Sequence, residues 1–213
     1  MRRYRDRIEA GRALAMALEE YRGRSDVVVL GLPRGGVPVA AEVATALGAP
    51  LDVFVVRKLG VPGHEEFAMG AIATGGVRVI DRATVEGLDI PAYASEEAVE
   101  REGRELERRE RQYRGGRPAP NIDGRVAILV DVGLATGASM RAAVKALRNL
   151  EPARIVVAVP VGASETCRRL ELEADEVVCA MAPADFRAVG LWYEDFSQTS
   201  DEEVQSAIAR TQR

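Results

Sequence analysis

Val126-Ala127-Ile128-Leu129-Val130-Asp131-Val132-Gly133-Leu134-Ala135-Thr136-Gly137-Ala138-Ser139-Met140 is the stretch on which the reading of this chain turns. Five apolar residues, Val126 to Val130, run into Asp131, then a turn of small residues, then a helix opening near Ser139. A short apolar run bounded by glycine reads as a strand buried on both faces. Gly133, Thr136, Gly137 and Ser139 let backbone N–H groups converge at a helix N-terminus, where unpaired donors coincide with the positive end of the helix dipole. Such a turn binds phosphate. The carboxylate of Asp131, one step before it, suits sugar hydroxyls, and the two together point to a phosphorylated ribose.

Outward from this stretch the pattern alternates helix and strand. Residues 6–22 place Ile8, Leu14, Ala15, Leu18 and Tyr21 at helical spacings. An apolar strand over 26–30 leads through Gly-Leu-Pro-Arg-Gly-Gly into a small-residue helix over 38–47, and a second strand is expected over 51–56. Residues 71–73 and 77–80 flank Thr74-Gly75-Gly76, a hairpin turn. After the signature strand come a helix over 139–149, a strand over 154–159, a helix over 163–173 and a short strand over 176–179. Strands separated by helices argue for parallel pairing, so the expected fold class is α/β: a doubly wound, mainly parallel sheet with ligands at the carboxyl ends of its strands. Residues 82–120 break the alternation. Within them 95–114 is a charged helix with Val99, Leu106 and Tyr113 on one narrow stripe. The pairs Glu97–Arg101, Glu105–Arg109 and Glu110–Arg114 sit four apart along it. It reads as a helical insertion packed along one edge, with a dimer contact or a cover over the site as alternatives. Ser200 and Glu203 form a capping box that opens a last helix.

Composition narrows the class. A length of 213 residues suits one domain with a proper core, and 47% hydrophobic with 29% charged residues is ordinary for a globular protein. A net charge of −4 gives no electrostatic footprint for nucleic acid. No stretch reaches membrane-span length, and the first residues lack the apolar core of a signal peptide, so a cytoplasmic location is expected. Cys167 and Cys179 lack metal-type spacing and His64 is the sole histidine, which argues against a protein-held metal. Of the 29 basic residues only Lys58 and Lys145 are lysines.

The signature segment resembles the phosphoribosyl-pyrophosphate motif of type I phosphoribosyltransferases: an apolar strand, two acids, glycine, then a Thr-Gly loop. The resemblance implies one domain over 1–213, with residues 183–199 as the variable C-terminal hood. It implies transfer of a 5-phosphoribosyl group from phosphoribosyl pyrophosphate to a nucleobase-like nitrogen, as in purine salvage and other nucleotide metabolism. Mg²⁺ would be carried mainly by the substrate's pyrophosphate, and the family often forms homodimers. Residues Ala135, Thr136, Gly137, Ala138 and Ser139 would hold the 5′-phosphate, and Asp131 the ribose and the charge developing on it. Arg34, Gly35 and Gly36 resemble the pyrophosphate loop, where a cis peptide between Pro33 and Arg34 is implied.

Three further groups complete the expected site. Arg57 and Lys58 follow the second strand as candidate pyrophosphate cations, or as plain solubilising charge. They open a loop over 59–67 that resembles the family's flexible cover, with His64 as a proton shuttle or merely an exposed side chain. Phe186, Trp192, Tyr193 and Phe196 cluster in the hood, where Trp192 or Phe186 would stack on the base; alternatively these rings pin the tail to the core.

One departure matters. The family usually has two adjacent acids, and here Val132 follows Asp131, removing one acceptor and one charge. The family's 6-oxopurine enzymes also carry an acid at the position of Ala135, so their base specificity does not transfer, although the Arg-Gly-Gly loop is closest to xanthine–guanine enzymes. A second reading therefore stands beside the transferase: a regulatory protein that binds phosphoribosyl pyrophosphate or a nucleotide without turnover. A dinucleotide oxidoreductase is disfavoured because no Gly-x-Gly-x-x-Gly follows the first strand, and a P-loop kinase because Gly-Lys-Ser/Thr is missing.

Overall fold

The computed structural model describes residues 3–211. Five parallel strands form the central sheet: β1 (Val27–Gly31), β2 (Leu51–Val53), β6 (Val126–Val130), β7 (Arg154–Val161) and β8 (Glu176–Met181), in the order β2-β1-β6-β7-β8. Every residue of β1 and β6 is buried, as expected for central strands covered on both faces. Alternation along them sorts the core into two layers. Val27, Val29, Ile128 and Val130 face α1 (Arg7–Ala17) and α2 (Gly36–Leu47). Val28, Leu30, Ala127 and Leu129 face α5 (Ala138–Arg148) and α6 (Ser164–Leu170). The doubly wound parallel sheet is thus the fold.

The expected second strand is shorter than its apolar run. Leu51–Val53 pairs with β1, but Phe54 and Val55 cross out of the sheet and Val56 begins another. The exit is fixed at Thr74, whose Oγ1 accepts from the Val55 amide at 2.9 Å while its own amide donates to the Val55 carbonyl at 2.9 Å. Buried apolar residues on both sides of the crossing look the same in sequence as a continued strand. The second sheet is antiparallel: β3 (Val56–Val61), β4 (His64–Ala73) and β5 (Val77–Ile80). Residues 59–67, read as an open loop, are therefore mostly hairpin, with Gly63 at φ +77° in its turn. The turn at Gly75 and Gly76 between β4 and β5 is a hairpin as expected, with φ of +81° and +73°.

Residues 82–120 contain α3 (Arg82–Gly87) and α4 (Ala92–Arg114). The stripe of Val99, Leu106 and Tyr113 is buried, and α4 lies against β3, β4 and α7 (Asp201–Arg210), so the insertion packs along the edge. The Glu105–Arg109 and Glu110–Arg114 pairs form, whereas Arg101 reaches Glu102. Ser200 and Glu203 cap α7 reciprocally. Among the described residues no helix is long and apolar enough to cross a membrane.

The far end of α4 is fixed by a buried ion pair. Arg114 Nε donates to Asp52 Oδ2 at 2.8 Å and its Nη2 to the Val53 carbonyl at 3.2 Å, with both side chains almost wholly buried. Burial pushes the Asp52 carboxyl up, and Arg114 opposes that shift. Removing one member of such a pair strands the other charge, a cost of about 3–5 kcal/mol. Arg114→Met should lose roughly that much stability in urea unfolding at pH 8. The loss should shrink at pH 5, where Asp52 can take up a proton, and adding Asp52→Leu should restore most of it. A single variant as stable as the parent at both pH values would show that the pair does not hold α4.

Candidate active site

The site lies at the carboxyl ends of β1 and β6, and its floor is the turn from β6 into α5. The turn is held from both sides. The Leu134 amide donates to the Val161 carbonyl and the Ala163 amide to the Leu134 carbonyl, each at 2.9 Å. Thr166 Oγ1 donates to the Ala135 carbonyl at 2.7 Å. Gly137 caps α5 in the left-handed region at φ +74°, and a Cβ there would meet Thr166 Cγ2 at 2.7 Å. Gly133 is equally confined, since its Cβ would lie 2.8 Å from the Val161 carbonyl oxygen.

Those constraints leave the loop's donors open. Among the described residues the amides of Ala135, Thr136 and Gly137 have no hydrogen-bond acceptor, and no side chain caps α5. They face a cavity of about 150 Å³ lined by Asp131, Ala135, Thr136, Gly137, Ala138 and Ser139, with Val189 of the hood on one wall. Three free amides at the positive end of a helix make an anion cradle. Among the described residues no side chain fills the bend, and the bond within it is a long one, from the Ala138 amide to Thr136 Oγ1 at 3.5 Å.

Asp131 sits at the rim of this cavity. Its Oδ1 accepts from the Val132 amide at 2.7 Å, and burial pushes its pKa up to about 7 against that hydrogen bond. Gly36 makes room for it: a Cβ on Gly36 would lie 2.7 Å from the Val130 carbonyl and 2.9 Å from Asp131 Cα. The Pro33–Arg34 peptide is cis, as the sequence resemblance implied.

Several expected roles change. The Gly36 amide is already bonded to the Leu32 carbonyl at 3.0 Å, so Gly36 serves by its lack of a side chain rather than as a donor. Arg57 binds Glu102 of α4 at 2.6 Å. Because successive residues of a strand face opposite sides, Arg57 and Lys58 cannot serve one group together. Lys58 is exposed on β3 and His64 is exposed at the start of β4, beside Phe67. Neither lines the phosphate cavity. Trp192 is only 4% exposed, packed with Tyr4 and Val161, and half-buried Phe186 packs on the same cluster. Trp192 therefore pins the hood, because its indole is buried against the N-terminal residues of the chain. Tyr193 does likewise, donating from its hydroxyl to the Val132 carbonyl at 2.7 Å.

The most exposed hood ring is Phe196, at 40% exposure. It borders a second cavity of about 380 Å³ with Arg7, Arg34, Gly35, Val132 and Thr199. Arg7 had no sequence signal: it is one arginine among many at the start of an amphipathic helix. Among the described residues no group of three or more His, Cys, Asp or Glu side chains could hold a metal ion.

Fold and site together define a doubly wound α/β protein with an open amide turn at the start of α5. The phosphoribosyl transferase domain model matches residues 4–191, and the chain belongs to that family. It is 48% identical over all 213 residues to the "Putative phosphoribosyl transferase Rv0571c" of Mycobacterium tuberculosis H37Rv, and equally to its counterpart in strain CDC 1551. The chain spans about half the length of these curated relatives, 48% of each. The crystal structure of TT1426 from Thermus thermophilus is 45% identical, superposes with a TM-score of 0.86, and covers 99% of both chains.

The elevated Asp131 pKa gives a direct test. The carboxyl ¹³C resonance that disappears in Asp131→Asn should titrate in the parent with a midpoint near 7. A midpoint in the ordinary carboxylate range, about 4, would show that the site is wetter than its geometry indicates.

Proposed function

We propose that the chain transfers a 5-phosphoribosyl group from phosphoribosyl pyrophosphate to a ring nitrogen of a nucleobase-like acceptor, releasing pyrophosphate. The observation that carries the reading is the open amide cradle at the start of α5 with a carboxylate one turn before it. Family membership supports the class of reaction, and the name carried by the mycobacterial relatives agrees with it.

In this reading the amides of 135–137 and the hydroxyls of Thr136 and Ser139 hold the 5′-phosphate. Asp131 in its ionised form accepts from a ribose hydroxyl. Arg34 and the Gly35 amide receive the pyrophosphate, with Lys58 brought in by movement of the β3–β4 hairpin and His64 as its proton carrier. Mg²⁺ suits this donor set only as an ion borne by the pyrophosphate and water, since Asp131 is the one carboxylate at the cradle and magnesium keeps most of its waters. Bound that way, the ion neutralises leaving-group charge.

The bond from the anomeric carbon to the pyrophosphate oxygen breaks with its electron pair leaving on oxygen. The acceptor nitrogen supplies the pair for the new bond and then loses its proton. Positive charge grows on the ribose ring as the leaving group departs, and Asp131 stabilises it in a site shielded by Val132 and Val189. Phe186 and Trp192 act behind this site by fixing the hood, and Phe196 offers the accessible ring.

The second reading is a binding protein that senses the same ligand. Val132 favours it, because a missing charged hydrogen bond forfeits about 1.5–3 kcal/mol. Calorimetric titration with phosphoribosyl pyrophosphate and Mg²⁺, beside a pyrophosphate-release assay over a nucleobase panel, separates the two. Binding with release supports transfer; binding without release supports the sensor; no binding sinks both. Val132→Asp restores the missing acid and should tighten phosphoribosyl-pyrophosphate binding by about ten- to a hundredfold. Unchanged or weaker affinity would count against assigning that position to the ribose.

A further inference from the structure

The cavity beside the phosphate loop is lined by two guanidiniums, those of Arg7 and Arg34, and by no carboxylate. Arg7 reaches it from the first turn of α1, with its guanidinium 4.7 Å from the centre of the Phe196 ring. Arg7 Nε is buried and has no hydrogen-bond partner among the described residues. It lies 3.6 Å from where a Cβ on Gly35 would stand, so it faces the same loop that carries Arg34. Asp195 feels Arg7 and Asp201 feels Arg34 from outside the cavity lining, and each is hydrogen-bonded to other groups. Asp195 accepts from the Ser197 amide at 2.9 Å, and Asp201 from Tyr113 and Gln112 at 2.8 and 3.0 Å.

A buried donor left unpaired in this way costs free energy until something accepts from it. Val132, on the same wall, presents methyl groups where the signature has a carboxylate, so the protein supplies no anion of its own there. The volume of about 380 Å³ is that of a small-molecule site. The 5′-phosphate and the pyrophosphate have their own partners at the amide cradle and at Arg34, which leaves Arg7 for the remaining reactant. A planar guanidinium fork matches a carboxylate better than it matches a neutral ring substituent.

We infer that Arg7 is a specificity residue and that the acceptor is a planar nitrogen heterocycle bearing a carboxylate, bound between Arg7, Val132 and Phe196. The inference rests on the transferase reading above and names its substrate class.

Matched pairs of probes test it: pyridine-3-carboxylate against pyridine-3-carboxamide, and uracil-6-carboxylate against uracil, titrated calorimetrically into the full chain with ribose 5-phosphate present. At least one carboxylate should bind tenfold or more tightly than its neutral partner. Arg7→Gln should reduce that preference to under twofold while changing inorganic pyrophosphate affinity by less than twofold. Arg7→Lys, which keeps the charge, should retain part of it, and it covers the case of a glutamine variant that fails to fold. Val132→Asp, by placing a carboxylate in the cavity, should also erase it. The inference is overturned if neither member of any pair binds, if charge makes no difference, or if the preference survives Arg7→Gln. It is also overturned if pyrophosphate affinity falls with Arg7→Gln, since Arg7 would then serve the leaving group. Phosphoribosyl pyrophosphate titrated in the same series keeps the outcomes apart: binding without carboxylate preference removes this inference alone, and its failure to bind removes the transferase reading as well.

Discussion

Everything at this site depends on a turn that is anchored on its carbonyl side and left open on its amide side. Leu134 and Ala135 give their carbonyls to Ala163 and Thr166, while the next amides point at empty space. The anchors are Val161 at the end of β7, Ala163 at the cap of α6 and Thr166 within it, none of which lines the cavity. Tightening the anchor therefore does not consume the donors. Gly137 makes the arrangement possible, since a left-handed residue is needed to turn the chain into α5 and Thr166 leaves no room for a Cβ. An anion arriving there finds donors already oriented, so little ordering has to accompany binding.

The hood is built to the same logic. Its rings look like a base-binding cluster, but Trp192 and Tyr193 face inward and lock the segment against the N-terminal residues. The Tyr4 amide donates to the Trp192 carbonyl and the Glu194 amide to the Tyr4 carbonyl, both at 2.8 Å. Tyr193 then reaches the Val132 carbonyl, linking the hood to the residue beside Asp131. The same docking brings the start of α1, and with it Arg7, to the site. A residue remote in sequence from every motif is placed there by backbone pairing alone.

How much of this was legible depends on whether a feature is local. The signature turn, the parallel sheet and the capping box rest on spacing within a dozen residues, and each appears as read. The break after Val53 was not legible, because Leu51–Val56 is apolar throughout whether it stays in one sheet or crosses to another. The hairpin at 56–73 was hidden by its glycines, which read as a mobile loop but serve a turn and a close approach: a Cβ on Gly60 would lie 2.8 Å from Glu65 Cα. The ion pair of Arg57 was illegible for a related reason. The partner Glu102 lies 45 residues away on α4, whose apolar stripe announces packing along an edge but not which strand it meets. Gly36 carried the right residue for the wrong purpose, since sequence cannot tell a glycine that donates from one that makes way.

Asp131 stands alone where the signature that this segment resembles has two adjacent acids. Two adjacent carboxylates share a site only if solvent, metal or donors keep both ionised. Here Val132 brings no second charge, and burial lifts the remaining acid to about 7 against the hydrogen bond from the Val132 amide. The sign of the linkage follows. The folded chain holds a proton that the unfolded chain releases near pH 4, so this residue's contribution to stability falls as pH rises toward 7. Above that pH the fold carries an ionised, poorly solvated carboxylate with one hydrogen bond from the protein. A ribose hydroxyl donating to it would supply a second, and positive charge growing on the sugar would be stabilised more strongly still. On the transferase reading, the charge absent at Val132 leaves Asp131 as the acid that the ligand would stabilise, so Val132 alters the site rather than abolishing it.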